Sequence, residues 1–533
     1  MDPVVVVGSG ASGVHFALGA LRKGHRVIML DVGNSASPPV NPADTLNGLK
    51  QKLDDPAGYF LGPRFESLIL PDYGAEYYGF PPSKLHVFRG HRSFRQQSKG
   101  FAPLVSFAGG GLAEVWTGGC YPFNDEELAQ FPFDYRELGP FYGEVARRIG
   151  LSGAIDDLTQ FFPVHDGIME PLTLDAHSER LLSSYRASSG YFNGKLATYL
   201  GRARVAAISR DHAGRKACDY SGRCLWGCPQ EAFYTPSITL RECRTWPSFE
   251  YRSGLYVDHF RTSSTGRIGS VIAHDTAGTE HEFPVGRLVL AAGTLCSTGI
   301  FLESIRRDTG KTPELGGLMD NRQVLMPFVN LGMLGRQFQP ESYQYHQVAI
   351  GVRPPVALDY VHGLVTTLKT ALIHPLIQNL PFDLATSAAV FRNLHAALGL
   401  VNINCSDYRR EENRITLENG SGGRRLLIQY QPAADEPGRL QGIKAHFRKL
   451  LWKLGCFAPP PMTHVRPMGA SVHYAGVLPM TATSAPWTCN RECRSNDFEN
   501  LYFVDGTTFP FLPAKNLTFT LMANAARVAE QAF

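Results

Sequence analysis

The run VVVVGSGASGVHFALGALRKGHRVIMLD, residues 4–31, decides how the rest of the chain is read. Val4-Val5-Val6-Val7 shows no polar alternation, so it reads as a central parallel strand buried on both faces. Gly8-Ser9-Gly10-Ala11-Ser12-Gly13 follows at once and opens a helix read over residues 14–23, and Arg26 to Asp31 reads as a second strand. Each glycine has a role there. The first permits a tight turn, the second lets backbone approach a pyrophosphate, and the third lets helix and strand pack closely. Asp31 ends the second strand 18 residues beyond Gly13, placed to accept ribose hydroxyls. A bare glycine triplet has the plainer reading of a turn. Strand, helix, Ala17, Gly24 and the terminal acid together favour a dinucleotide, with NAD and FAD both left open.

The bulk numbers agree with a large globular protein. At 533 residues the chain exceeds one simple core, so two domains or two interleaved lobes are expected. Hydrophobic residues make up 44% and charged residues 19%, with a mean hydropathy of -0.14, which is ordinary for a globular protein. Fifty-two basic against 48 acidic residues leave a net charge of +4, too slight for a dedicated nucleic-acid binder. Met1-Asp2-Pro3 leads directly into the first strand without a positive n-region or cleavage site. The apolar stretches are too short or too broken to span a bilayer. A cytoplasmic enzyme is the expectation, with its ten cysteines as thiols in a reducing compartment rather than a disulfide framework.

Further along, residues 33–74 read as loops and short elements, 124–150 as helical, and 254–292 as strands around Leu255–Val257, Ser270–Ala273 and Arg287–Ala291. The apolar stretch 365–400 reads as helical, 439–455 as an amphipathic helix, and 501–533 as strand, turn and helix. No internal repeat or low-complexity segment interrupts this order.

Leu501-Tyr502-Phe503-Val504-Asp505-Gly506 is a strand ending in Asp-Gly, followed by Pro510, Pro513, Asn516 and a helix. With Val472-His473-Tyr474 about thirty residues earlier, it resembles the glucose-methanol-choline (GMC) family of FAD-dependent oxidoreductases. Residues 107–120 (FAGGGLAEVWTGGC) look like that family's second flavin-contacting loop, and Arg287 to Ser297 like its strand-turn returning to the nucleotide. Four matches in order, spread over the full length, are more specific than any one. The resemblance implies an α/β protein in which a Rossmann-like FAD-binding domain is interleaved with a sheet-plus-helices substrate-binding cap. Residues 1–45, 88–125, 195–310 and 465–533 would form the first, and 46–87, 126–194 and 311–464 the second.

The resemblance also implies roles. An alcohol would lose its hydroxyl proton to a base while hydride leaves its carbon for flavin N5, and the matching histidine is His473. A neutral imidazole suits that task, since its ordinary pKa lies near 6.5. Asn516 would hold the substrate oxygen, with helix N-capping as its plainer reading. His464 is a rival base in an unmatched stretch. FAD contacts carried over are Gly8, Gly10, Ala11, Ser12, Gly13 and Asp31; Gly110, Gly111, Trp116 and Gly118; Val257 and Ala292; and Asp505, Gly506 and Thr518. Any of these glycines can also serve only to shape a turn.

Cys218, Cys224 and Cys228, the last followed by Pro229, resemble the iron–sulfur loop of electron-transferring members of the family, and structural thiols are the alternative. Cys489 and Cys493 are spaced for one helical face, as a redox pair or as surface thiols. The expected substrate is a small primary or secondary alcohol, sugar-like or a polyol, with oxygen or an electron carrier as acceptor and neither nucleic acid nor a membrane span involved. Lyase or desaturation-type chemistry on the same fold, or a catalytically inactive flavin-binding protein, are the competing readings; an NAD-linked dehydrogenase is disfavoured by Asp505-Gly506.

Overall fold

The computed structural model describes residues 3–35, 44–67, 80–263, 266–368, 377, 380–420 and 423–533. Val4–Val7 is fully buried and pairs in parallel with Arg287–Leu290 on one side and Val27–Leu30 on the other. Leu501–Phe503 and Phe249–Arg252 complete a five-stranded, all-parallel sheet. The first helix, Ala11–Arg22, starts earlier than the periodicity suggests and buries most of its length. Its Gly19 faces Ala529 of the last helix, Thr518–Gln531, with no room for a side chain between them. Chain ends more than 500 residues apart therefore share one layer of the nucleotide-type domain.

A second sheet has seven strands. Cys456–Phe457, Arg322–Asn330, Leu398–Cys405, Val361–Thr367, Val348–Val352 and Thr198–Arg202 lie in that order, with His464–Val465 also paired to Arg322–Asn330. All these pairings are antiparallel. Pairing register assigns its two faces. Val324, Met326, Val361, Val365, Val401 and Ile403 point to one side, in the same buried cluster as Leu440, Phe447 and Leu450 of the helix Glu436–Lys453. Gln323, Asn404, His362 and Tyr199 form a row on the other side. Smaller sheets support these, among them one of Tyr256–Thr262, Ile268–His274 and Glu280–Pro284 and another including Arg414–Gly420 and Gly423–Gln429.

Several local expectations are corrected. Residues 124–150 form two helices, Asp125–Leu128 and Tyr135–Ile149, because Phe131-Pro132-Phe133 interrupts the first and Asp134 caps a new start. The stretch 365–400 is not one helix. It begins in the strand Val361–Thr367, holds the helix Leu384–Leu394 and ends in the strand Leu398–Cys405, while 369–376 and 378–379 lie outside the described residues. Short apolar runs do not separate strand from helix by period, and the β-branched Val361, Val365, Thr366 and Thr367 favour strand. Sheet membership also crosses the expected domain limits. Thr198–Arg202 joins the seven-stranded sheet, and Tyr135–Ile149 packs on the last helix through Tyr142 to Thr520 at 2.7 Å and Arg527 to Glu137 at 2.8 Å. Among the described residues no helix is long and apolar enough to cross a membrane.

Candidate active site

A groove with about 1240 Å³ of open space runs over the carboxyl ends of the parallel strands. Gly8, Gly10, Ala11, Ser12, Asp31, Gly111, Val257, Ala292, Asp505, Gly506 and Thr518 line it together, although their sequence positions span the chain. Gly13, Gly110, Trp116 and Gly118 stand outside its lining; Trp116 turns its indole N–H to Tyr234 O at 2.8 Å. The glycines divide by purpose. Gly8 has φ +99°, and a Cβ there would lie 2.6 Å from Ala291 O; one on Gly13 would lie 2.1 Å from Gly8 O. Those two serve the backbone. A Cβ on Gly10 would meet nothing nearer than Gly110 O at 4.0 Å, so folding alone does not demand glycine there. Its missing side chain leaves the groove floor bare beside a helix N-terminus that no side chain caps. Unpaired first-turn amides and the positive end of the helix dipole suit a diphosphate.

Asp31 sits in the groove wall. It accepts from Ser9 Oγ, from Tyr251 OH at 3.2 Å and from Gly33 N–H at 3.2 Å, and Ser9 in turn accepts from Gly110 N–H at 2.9 Å. Burial outweighs these bonds and pushes the carboxyl up to about 6. Asp505 is likewise satisfied within the chain, by Ser297 Oγ at 2.5 Å and Thr507 N–H at 3.0 Å, so it shapes the groove without presenting a bare charge to a phosphate. The donor set, the bare floor and the scattered lining fit an elongated dinucleotide.

His473 follows a strained turn. Val472, which lines the groove, has φ +64°, a left-handed conformation that costs a β-branched residue about 1–3 kcal/mol. Asp320 holds this turn from below, accepting from Gly469 N–H at 2.6 Å and from Ser471 Oγ, and His473 N–H donates to that hydroxyl at 3.0 Å. The imidazole Nδ1 lies 2.9 Å from Asn321 Oδ1. Burial, then the nearby Arg466 charge, holds the ring down to about 4, so it is neutral at ordinary pH. Burial raises Asp320 to about 7.

Asn516 follows Pro513, whose carbonyl accepts from Asn321, the partner of His473. A Cβ on Gly119 would lie 2.9 Å from Asn516 Oδ1, and among the described residues that buried oxygen has no hydrogen-bond partner. It does not cap the last helix, whose N-cap is Leu517 with no side-chain bond. Its neighbour Lys515 is fully buried and donates to Glu127 at 2.5 Å, Phe161 O at 2.6 Å and Pro122 O at 2.9 Å. Above this segment lies the polar row of the seven-stranded sheet: Tyr121 meets His362 edge-on at 4.4 Å, and Gln323 donates to Asn404 at 2.8 Å. His464 is exposed in the short edge strand His464–Val465, opposite Leu325.

The cysteine expectations fare differently. Among the described residues no group of three His, Cys, Asp or Glu side chains is placed to hold a metal ion, and Cys218, Cys224 and Cys228 form none. These three instead pack among aromatic residues, and burial raises Cys218 to about 11. Cys489 and Cys493 occupy no helix and are fully buried, so they are not surface thiols; both are free. Missed by sequence reasoning were Ser9, Tyr251, Asp320 and Asn321. Only Ser9 carried a local signal, lying inside the glycine motif.

Residues 461–525 match the family profile described as GMC oxidoreductase. Paromamine 6'-oxidase of Streptomyces fradiae is 24% identical over 99% of this chain and 90% of its own length. A 6'''-hydroxyparomomycin C oxidase of Streptomyces lividus is 23% identical with the same coverage. A 2-methyl-1,2-propanediol dehydrogenase of Mycolicibacterium austroafricanum is 23% identical over 57% of this chain and 51% of its own. Among solved structures, pyridoxine 4-oxidase from Mesorbium loti superposes with a TM-score of 0.60 at 15% identity, covering 100% of this chain and 99% of its own. Formate oxidase gives 0.61 at 11%, covering 99% and 98%.

Proposed function

We propose that this chain, a GMC oxidoreductase acting on CH–OH groups, binds FAD in the groove and oxidises a primary or secondary alcohol of sugar-like or polyol type. The observation that carries the reading is a neutral, half-buried imidazole, His473, next to Val472 in the wall of a dinucleotide-shaped groove. Gly10 and the amides of Ala11 and Ser12 would hold the diphosphate, Asp31 the ribose and Asp505-Gly506 the chain toward the ring. A flavin held there supplies the two-electron acceptor for the carbinol hydride. His473 takes the hydroxyl proton, so that the oxygen becomes a carbonyl as hydride departs. Asn516, whose buried Oδ1 has no hydrogen-bond partner among the described residues, orients the substrate through a donor on the substrate. The curated relatives named as oxidases of amino-sugars support a hydroxyl-rich substrate.

Purified protein is expected to be yellow and to bleach anaerobically with one member of a panel of paromamine, sorbitol, glycerol and benzyl alcohol. His473→Ala should keep the colour and lose about 10²–10⁴-fold in bleaching rate, the usual share of a positioned base. Unchanged bleaching in that variant removes the base assignment. Peroxide formed under air marks oxygen as acceptor; turnover only with a dye marks an electron carrier.

A further inference from the structure

We infer that Asn321 is a positioning residue which holds His473 as the Nδ1–H tautomer and so leaves Nε2 as its single basic nitrogen. This rests on the reading of His473 as base. The deduction uses hydrogen-bond directions alone. Asn321 Nδ2 donates to Cys405 O at 2.9 Å and to Pro513 O at 3.0 Å. Carbonyl oxygens only accept, so both amide hydrogens are committed and the side chain is oriented without ambiguity. Its Oδ1 then faces His473 Nδ1 at 2.9 Å. Two acceptors do not bond, so Nδ1 carries the hydrogen and the neutral ring has its lone pair on Nε2.

The two carbonyls give the arrangement its reach. Cys405 closes a strand of the seven-stranded sheet, and Pro513 opens the loop that carries Lys515 and Asn516. One amide therefore ties the sheet, the histidine and the loop of the expected substrate-oxygen partner together. Asp320, the preceding residue, holds the turn backbone through Gly469 and Ser471. The charge that acts on the ring is Arg466, whose Nη1 donates to Gln323 at 2.5 Å; Asp320 lies below the turn and meets the His473 backbone, not its ring. When substrate O–H breaks, its proton goes to Nε2 while the Nδ1 hydrogen keeps its bond to Asn321 Oδ1; a flavin held in the groove would supply the acceptor for the hydride. Burial and Arg466 oppose a charged ring beforehand, so the tautomer matters: a ring with hydrogen on Nε2 offers the alcohol a donor instead of a base.

Two substitutions and one spectroscopic measurement test this. Asn321→Leu removes donors and acceptor together; Asn321→Asp keeps an acceptor toward Nδ1 and loses both donors to the carbonyls. Positioning predicts that Asn321→Leu keeps the yellow colour and bleaches about 100-fold more slowly with the fastest alcohol of the panel. It predicts that Asn321→Asp recovers much of that rate, with the acid limb of its pH profile moved upward because a carboxylate favours the imidazolium. A role confined to bracing Cys405 and Pro513 predicts equal damage from both and an unmoved limb, which overturns the proposal. Independently of turnover, ¹⁵N NMR of histidine-labelled holoenzyme, with His473→Gln assigning the signal, should show Nδ1 protonated and Nε2 bare. An Nε2–H ring overturns the inference even where neither Asn321 variant folds. Should His473→Ala bleach normally, the base reading fails instead, and the NMR result still decides the tautomer.

Discussion

The five-stranded and seven-stranded sheets bury their side chains by different rules. Val4–Val7 and Val27–Leu30 are apolar and buried throughout, as parallel strands covered on both faces are. The seven-stranded sheet gives one face to the core beneath Glu436–Lys453 and turns Gln323, Asn404 and His362, at 5%, 1% and 0% exposure, toward the nucleotide-type domain. Burying such groups is unfavourable unless each finds a partner. Gln323 donates to Asn404 and accepts from Arg466, and Asn404 donates to Asn402 O at 3.4 Å, but among the described residues His362 Nε2 has no partner. The first sheet is a platform whose chemistry lies in the loops at its strand ends; the second carries polar groups on the sheet itself.

The largest expected effect breaks the platform. Gly13→Val sets a Cβ 2.1 Å from Gly8 O, and both atoms belong to backbone that the first strand and helix hold in place. Loss of about 4 kcal/mol or more is expected, read as colourless, aggregated protein on expression. A soluble yellow Gly13→Val enzyme would show that the strand–helix junction gives way where the geometry says it does not.

This junction was also the most legible part of the chain, because turn, helix start and strand are local and each has a residue type that only one backbone suits. The C-terminal strand and helix and His473 were found through ordered motifs. Asn321 was not, for it stands 152 residues before His473 and its meaning comes from two carbonyls brought to it by an antiparallel strand and a distant loop. The polar row was hidden for a related reason. Each of its residues is a single polar position in a strand, and pairing register, absent from any one segment, aligns them.

A smaller effect sharpens the contact between the regions. Lys515 of the C-terminal loop pairs with Glu127 in full burial, at 0% and 3% exposure, and also binds two carbonyls. Lys515→Met strands a buried carboxylate, and a loss of about 3–5 kcal/mol in urea unfolding is expected. Lys515→Met with Glu127→Leu should recover part of it, since no charge is then left unpaired. Equal loss in the double variant would mean that the bonds to Pro122 and Phe161 carry the stability and the ion pair does not.

The smallest effect separates the regions by pH. On the platform, Asp31 is raised to about 6 by burial; beside the polar face, His346, bonded to Thr366 at 2.8 Å, is held down to about 4 by burial. These shifts act in opposite senses. His346 takes up its proton near 6.5 when unfolded and near 4 when folded, so the unfolded chain binds more protons between those values and stability falls as pH falls. Asp31 ionises near 3.8 unfolded and near 6 folded, so the folded chain holds the extra proton and stability falls as pH rises through that window. Each amounts to on the order of 3 kcal/mol at full extent, and between pH 4 and 6 they offset. His346→Gln should therefore flatten the acid-side loss and leave unfolding free energy declining more steeply toward pH 6 than in the parent. Asp31→Asn should do the reverse, with stability climbing from pH 4 to 6.5. Parallel pH profiles in the two variants would mean that neither burial shift operates, and with them would go the contrast between a platform of raised carboxylates and a sheet face of depressed imidazoles.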